Sequence, residues 1–294
     1  MITTREIVKS LLPVRKICSH KGDFGHILFL AGSRGMTGAT LLCSYAALRT
    51  GAGLVTVGTP ASQQPIIAKR VQPEAMTLSL KETGSGSLSV SCYQEIERYI
   101  ERRKVGVLAI GPGLSTQPST KELVKKILKN MNLPLVLDAD GINALAGQKT
   151  YSLLRNYKSE IVITPHPGEM GRLINLPVSK IQQKRSETAK KFAEENSVVC
   201  VLKGHNTVIT DGKKVYINPT GNPGMATGGS GDVLTGMLAA FAGQIKGHLL
   251  YSAVVAVYLH GLAGDLAEKD KTQISMTAGD IIEKIPEAIK KSSR

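Results

Sequence analysis

Short runs of Val, Ile and Leu alternate with stretches of helical periodicity along most of this chain. Residues 26–32 (HILFLAG), 54–60 (LVTVGTP), 105–113 (VGVLAIGPG), 134–141 (PLVLDADG) and 160–168 (EIVITPHPG) each predict a strand that ends in a turn. Their apolar character is continuous rather than alternating, as expected of strands covered on both faces. Between them, 37–51 (TGATLLCSYAALRTG), 91–104 (SCYQEIERYIERRK) and 119–130 (STKELVKKILKN) carry apolar residues at helical spacing. Strand, helix and strand in repetition predict an α/β fold with a mainly parallel central sheet and helices on both faces.

After about residue 198 the pattern changes. SVVCVLKG, NTVITDG and KKVYINP follow one another closely, and the Asp211-Gly212 turn predicts a late β-hairpin. Three helices are expected to begin near Asp232, Leu249 and Ala278. No linker, low-complexity tract or repeat interrupts the pattern, so a single domain over 1–294 is expected.

Composition narrows the classes of function. The chain has 37 basic and 23 acidic residues in 294, a formal charge of +14, which suits nucleic acid, a membrane surface or polyanionic small ligands. The basic residues are spread over helix faces whose other side is apolar. There is no Trp, and no basic stretch is interleaved with aromatics, so no nucleic-acid partner is expected. Of the four cysteines, Cys43 and Cys200 lie in apolar segments, which suggests buried thiols in a reducing cytoplasm. The first residues, MITTREIVKSLLPVRK, are too charged for a signal peptide. The apolar stretch 252–267 reads as broken by His260, Gly261, Gly264 and Asp265, so no membrane span is expected.

Ligands of open parallel sheets bind beyond the carboxyl ends of the strands, and polar, glycine-rich residues collect at those ends here. GSRGMTGAT (32–40) lacks the Gly-Lys-Ser/Thr ending of a P-loop. No acidic residue stands between Asp23 and Glu74 to hold a ribose, which argues against a dinucleotide-binding unit. The segment suits a tight turn or a surface for a flat ligand. Asp138 and Asp140, with Asn143 beyond, suit helix capping as well as binding. His166, fixed between two prolines, is expected to contact a ligand, and Glu169 to complement a helix dipole. Lys203, Gly204, His205, Asn206 and Thr207 interrupt an apolar strand. A hairpin turn explains some of them, but the lysine and threonine can also reach phosphate oxygens.

Gly228, Gly229, Ser230 and Gly231 can turn backbone N–H groups toward one point at a helix start, which makes an anion hole. Asp232 follows immediately, and its charge would repel a bound phosphate. The pairing makes chemical sense when the carboxylate faces a hydroxyl that attacks the phosphoryl group held by the loop. Asp232 is then a general base in a phosphoryl-transfer site.

GGSGDVLTG resembles the GxGD signature of the ribokinase-like superfamily. In order along nearly the whole chain, KGDFGHILFLAGSRGMTGA, GLVTVGTP, AIGPGLS, VLDADGINAL, TPHPGEMGRL, VLKGHNTVI and NPTGNPGMATGGSGDVLTGMLAAFAGQ are similar to the ADP-dependent NAD(P)H-hydrate dehydratases. The resemblance implies a repair lyase that dehydrates hydrated NADH or NADPH using ADP, with AMP and phosphate as products. It implies Asp232 as catalytic base and hydrate contact, with Ala39, Gly113 and His166 lining the hydrate pocket. Lys203, Gly204, His205, Asn206, Thr207 and Gly231 would hold the adenine nucleotide, and Glu169 matches an acidic position linked to Mg2+. The family also suggests a homotetramer and, since the first shared motif begins at Lys21, a separate NAD(P)H-hydrate epimerase as functional partner. A kinase of the same superfamily acting on a hydroxymethyl vitamin precursor is the alternative, because it would share the anion hole and Asp232.

Overall fold

The structure is a computed structural model describing residues 1–147 and 152–293. Nine strands form one sheet: β1 (His26–Leu30), β2 (Leu54–Pro60), β3 (Ala75–Leu80), β4 (Val107–Ile110), β5 (Leu135–Leu137), β6 (Ile161–Ile163), β7 (Val199–Leu202), β8 (Val208–Thr210) and β9 (Val215–Ile217). Their order is β3-β2-β1-β4-β5-β6-β7-β8-β9. The first seven pair in parallel, while β8 runs antiparallel to both β7 and β9. The mainly parallel sheet and the late hairpin are therefore as the patterning implies. Gly212, at φ +88°, lies in the turn between β8 and β9.

The helices are α1 (Arg5–Leu11), α2 (Thr37–Arg49), α3 (Gln64–Ala68), α4 (Tyr93–Arg103), α5 (Pro118–Asn130), α6 (Ala139–Asn143) and α7 (Ser152–Arg155). They continue with α8 (Pro167–Ile174), α9 (Val178–Gln183), α10 (Arg185–Asn196), α11 (Ser230–Gln244), α12 (Leu249–Lys271) and α13 (Ala278–Ser293). Strand side chains alternate between two apolar layers. Ile27, Phe29, Val107 and Val136 pack toward α2, α11, α12 and α13, whereas Leu28, Leu30, Leu108 and Leu135 pack toward α4, α5 and α10. Alternation of direction with apolar residues on both faces is why these strands read as unbroken apolar runs.

Two expectations need correction. Strand β3 was absent from the pattern because AMTLSL mixes Thr and Ser with its apolar residues. It is an edge strand that is mostly half-buried, so it lacks the fully apolar signature. The stretch around His260 is also not broken: α12 runs through His260, Gly261, Gly264 and Asp265 without interruption. By length and composition it could cross a membrane, but 83% of its apolar window is buried inside the protein. Gly261, Gly264 and Asp265 form the helix face that seats the loop 218–226. A Cβ on Gly261 would run into Thr220, and one on Gly264 into Met225. Asp265 accepts from the Gly221 N–H at 3.0 Å and from Asn222 Nδ2 at 3.2 Å.

The order of the strands reverses between β1 and β4: β2 and β3 extend one way, and the later strands extend the other. A crevice at the carboxyl ends is expected at such a switch point. The loops after β1 and β4 line it, tied together by the Gly32 N–H donating to Pro112 O and Ser33 Oγ donating to Gly113 O, both at 2.9 Å.

Candidate active site

The glycine loop ends at Gly229, the N-cap of α11, whose φ of +92° is left-handed and favours glycine. A side chain there would also collide with Leu42. The cap supplies no side-chain acceptor, and among the described residues the N–H groups of Gly231 and Asp232 have no protein acceptor. Two free donors at the positive end of a fifteen-residue helix suit an anion. The helix starts at Ser230, so Asp232 is in its first turn. Beneath the loop, Ser230 Oγ lies 3.5 Å from Nε2 of the buried His260, whose imidazole burial pushes down to about 4 and keeps neutral.

Asp232 stands half-buried beside these donors. Burial, then the charge of Asp138, push its carboxyl up from 3.8 to about 7; Lys203 opposes them and Asp140 adds to them. A carboxylate with that pKa is matched to proton abstraction near neutral pH.

Asp138, at the end of β5, is the node of the site. It is buried and accepts from Lys203 Nζ at 2.7 Å, from Thr164 Oγ1 at 2.6 Å and from Thr235 Oγ1 at 2.7 Å. Burial works to raise its pKa, but the Lys203 ammonium and the three donated hydrogen bonds win and hold it ionised below its ordinary value. Burial alone would lower the Lys203 pKa; Asp138 and Glu169 reverse that and keep it cationic. Lys203 at the end of β7 thus bridges Asp138 and, at 3.7 Å, Glu169. Its ammonium is already partnered by these two carboxylates, so an anion bound there would have to share it.

His166 and Glu169 form a capping box at the start of α8. Nδ1 of His166 accepts from the Gly168 and Glu169 N–H groups at 3.0 and 3.3 Å, and Glu169 Oε2 accepts from the His166 N–H at 2.8 Å. Nε2 of His166 is 3.4 Å from Glu169 Oε1. Burial lowers the His166 pKa against the pull of Glu169, which leaves a neutral ring whose half-exposed edge can meet a ligand. Glu169 is itself buried, with both oxygens occupied by these neighbours. Among the described residues no group of three or more His, Cys, Asp or Glu side chains could hold a metal ion.

The remaining expected residues fall into two places. Gly204, His205 and Asn206 are exposed on the loop from β7 to β8, with φ of +136° at Gly204 and +55° at Asn206, and Thr207 Oγ1 donates to Gly204 O at 2.8 Å. Ala39 and Gly113 meet at the switch point: a Cβ on Gly113 would stand 3.1 Å from that of Ala39. Asp140 closes the floor of that crevice by accepting from the Ser115 N–H at 2.8 Å and from Asn143 Nδ2 at 3.2 Å.

Sequence reasoning left open the role of Asp138 and did not single out Thr164, Thr235 or Arg185. Thr235 had a local signal, since it stands three residues after Asp232 and shares its side of α11. Arg185 had none. Its guanidinium donates to Leu202 O at 2.9 Å and Lys203 O at 3.2 Å, and so holds the start of the β7–β8 loop from a distant helix.

A doubly wound sheet with a glycine anion hole and a first-turn aspartate defines the ribokinase-like class. A ribokinase-like superfamily protein from Enterococcus faecalis superposes with a TM-score of 0.81 at 29% identity, covering 99% of this chain and 95% of that one. The profile of the NAD(P)H-hydrate dehydratase family (Carb_kinase) matches residues 27–287, and the chain belongs to that family. It is 37% identical over 292 residues to the ADP-dependent (S)-NAD(P)H-hydrate dehydratase of Bacillus subtilis, covering 98% of this chain and 97% of that protein. A crystal structure of the ADP/ATP-dependent NAD(P)H-hydrate dehydratase from the same organism, co-crystallized with ATP/Mg2+, superposes with a TM-score of 0.83 at 33% identity, covering 99% and 98% of the two chains. The bifunctional NAD(P)H-hydrate repair enzyme Nnr of Moorella thermoacetica is 49% identical over 282 residues, which are 95% of this chain and 52% of that protein. The chain therefore spans about half the length of the bifunctional relatives it matches.

Proposed function

We infer that the chain is a repair lyase that returns hydrated NADH or NADPH to the reduced cofactor, using ADP and releasing AMP and phosphate. The observation that carries this reading is Asp232, held at about 7 beside the free N–H groups of the α11 start. In the first step the Asp232 carboxylate takes the proton of the hydrate's ring hydroxyl, and the oxygen attacks the β-phosphorus of ADP as the bond to AMP breaks. The Gly231 and Asp232 amides stabilise charge on the transferred group. In the second step the ring nitrogen's electron pair expels phosphate, and a proton leaves the neighbouring carbon to restore the ring double bond. Hydroxide is a poor leaving group and phosphate a good one, which is why a kinase-like site can serve a lyase.

Ala39, Gly113 and His166 are assigned to the hydrate. Lys203, Gly204, His205, Asn206, Thr207 and Gly231 are assigned to the adenine nucleotide, with Gly228, Gly229 and Ser230 shaping the anion hole. Magnesium would neutralise phosphate charge, and it would arrive on the nucleotide, since it typically keeps waters and binds few carboxylates. Glu169 is assigned to the Mg2+-bearing phosphates; its capping bond from the His166 N–H uses one lone pair of Oε2 and leaves acceptor capacity on the carboxylate. A single domain over 1–294, assembly into a homotetramer and supply of the reactive hydrate epimer by a separate epimerase complete the proposal; the bifunctional relatives, matched over half their length, are consistent with two activities working together.

The experiment mixes the protein with NADH hydrate, Mg2+ and ADP or ATP, and follows recovery of the near-ultraviolet absorbance of the reduced ring. Recovery with equimolar AMP and phosphate is expected with ADP. No recovery, together with stable phosphorylation of a hydroxymethyl vitamin precursor, would transfer the chain to the kinase reading.

A further inference from the structure

Only two residues join α10 to β7, so helix and strand run in opposite directions and the first residue of the helix stands near the last of the strand. Twelve helical residues span about 18 Å, and the four of β7 about 13 Å. The helix therefore overreaches the strand and sets Arg185, its first residue, beside the loop 203–207. Arg185 is also one turn before Ala189, on the face that buries Ala189, Phe192 and Ala193. In sequence it reads as an ordinary charge at a helix start, but the packing leaves it half-buried.

Three hydrogen bonds fix the guanidinium. Nη2 donates to Leu202 O at 2.9 Å and to Lys203 O at 3.2 Å, and Nη1 donates to Gln182 Oε1 at 2.9 Å. The fork lies against Gly204, where a Cβ would stand 3.0 Å from Nη1 and 3.2 Å from Nη2. Glycine allows both that approach and a φ of +136°. Lys203 is gripped on its other side as well, its N–H donating to Pro165 O at 2.9 Å. For the arginine this arrangement is unfavourable. Nε is buried without a partner, and among the described residues no carboxylate lies within ion-pair distance of the guanidinium. Burial lowers its pKa from the ordinary value. An unmatched buried donor and an unpaired charge cost stability, so the fold alone does not call for an arginine here.

We propose that Arg185 is a positioning residue for the adenine nucleotide, holding the Leu202 and Lys203 carbonyls so that the loop 203–207 has its binding shape before the ligand arrives. The inference rests on the assignment of that loop to the nucleotide in the dehydratase reading. Carbonyl oxygens repel phosphate oxygens, and two of them are tied here to a cation instead of being free to turn toward an anion. A loop that is already ordered also loses little backbone freedom on binding. Lys203 Nζ keeps its own holds on Asp138 and Glu169, so Arg185 acts on the shape of the loop and leaves the charges around Asp232 in place.

Two variants test it. Arg185→Lys keeps the charge without the fork, and Arg185→Met keeps the stem alone. Both should weaken ADP about tenfold in calorimetric titration, the scale of ordering about one residue's backbone at binding. Values of kcat at saturating ADP, of KM for NADH hydrate and of the acid limb of the kcat profile should match wild type. Amide hydrogen exchange reads the cause: in the free protein the 203–207 amides should exchange several-fold faster in both variants, and saturating ADP should remove the difference. Unchanged ADP affinity in Arg185→Met would overturn the proposal. Wild-type affinity in Arg185→Lys with a loss in Arg185→Met would also sink it, because charge and not the grip on the carbonyls would then be the cause. A joint fall of ADP affinity, kcat and hydrate affinity would replace it with general support of the fold.

The ADP titration needs no turnover. If wild type dehydrates nothing yet binds ADP about tenfold tighter than both variants, the dehydratase reading falls and the positioning role stands. If NADH hydrate is dehydrated while ADP binding is indifferent to Arg185, the positioning role falls and the reading stands. If wild type binds no ADP, both fall.

Discussion

Asp232→Asn should make the protein more stable and nearly inactive at the same time. A carboxyl whose native pKa is raised adds stability while it is protonated, and that contribution is lost as pH rises through the native value. For Asp232 the window runs from its ordinary 3.8 to about 7. About three units at about 1.4 kcal/mol each set an upper bound of about 4 kcal/mol that the ionised form costs above pH 7. Asparagine has no charge to bury, so the variant should recover a few kcal/mol at pH 8 and almost nothing near pH 4. In a chain of this size that is a rise of several degrees in Tm at pH 8, shrinking as pH falls. Turnover should drop at least about a hundredfold, the ordinary contribution of a general base, while ADP binding is kept or tightens as the charge facing its phosphates is removed. Thermal melts at pH 5 and pH 8, paired with the absorbance assay, separate the effects. Equal Tm values at pH 8 would refute the electrostatic argument, and near-normal turnover would remove Asp232 from the chemistry.

Other consequences follow from the same geometry. The acid limb of the wild-type kcat profile should fall near pH 7, and Asp138→Asn should move it down, since burial remains but the like charge of Asp138 is gone; an unmoved limb would show that Asp138 does not act on the base. Lys203→Ala should weaken ADP and also destabilise the fold by about 3 to 5 kcal/mol, because Asp138 is left buried without its ion partner. Calorimetric ADP titration and urea unfolding check the two parts. Gly261→Ala should displace the Thr220 loop from α12, lowering stability by about 1 to 3 kcal/mol and slowing turnover with little change in ADP binding; a silent substitution would mean the loop tolerates the movement.

Much of the site was legible because its residues are grouped locally. The glycines before Asp232, the TPHPGE turn and the KGHNT loop each declare themselves within a few positions, and the structure sets all three at the carboxyl ends of strands or the helix start they feed. Their internal bonds were partly legible too: His166 and Glu169 have the three-residue spacing of a capping box. What the pattern did not reveal was the status of Lys203. It reads as a free phosphate ligand, and only its meeting with Asp138 and Glu169 makes it the cation of a buried network.

The sequence by itself determined the parallel α/β core, since strands sheathed on both faces must be apolar throughout and helices between them must be amphipathic. It also determined the acid beside an anion hole, because helix start, glycines and aspartate are contiguous. Only the tertiary structure decided which distant positions meet. Asp138, Thr164, Lys203 and Thr235 lie on four separate segments, yet their side chains close one hydrogen-bonded node. Local patterning carries no record of such a meeting. The pKa of Asp232 depends on it, because burial and a neighbouring charge are properties of the packed chain. The same holds for α12, whose glycines look like breaks in sequence and become the seat of a loop once there is a loop to press against them.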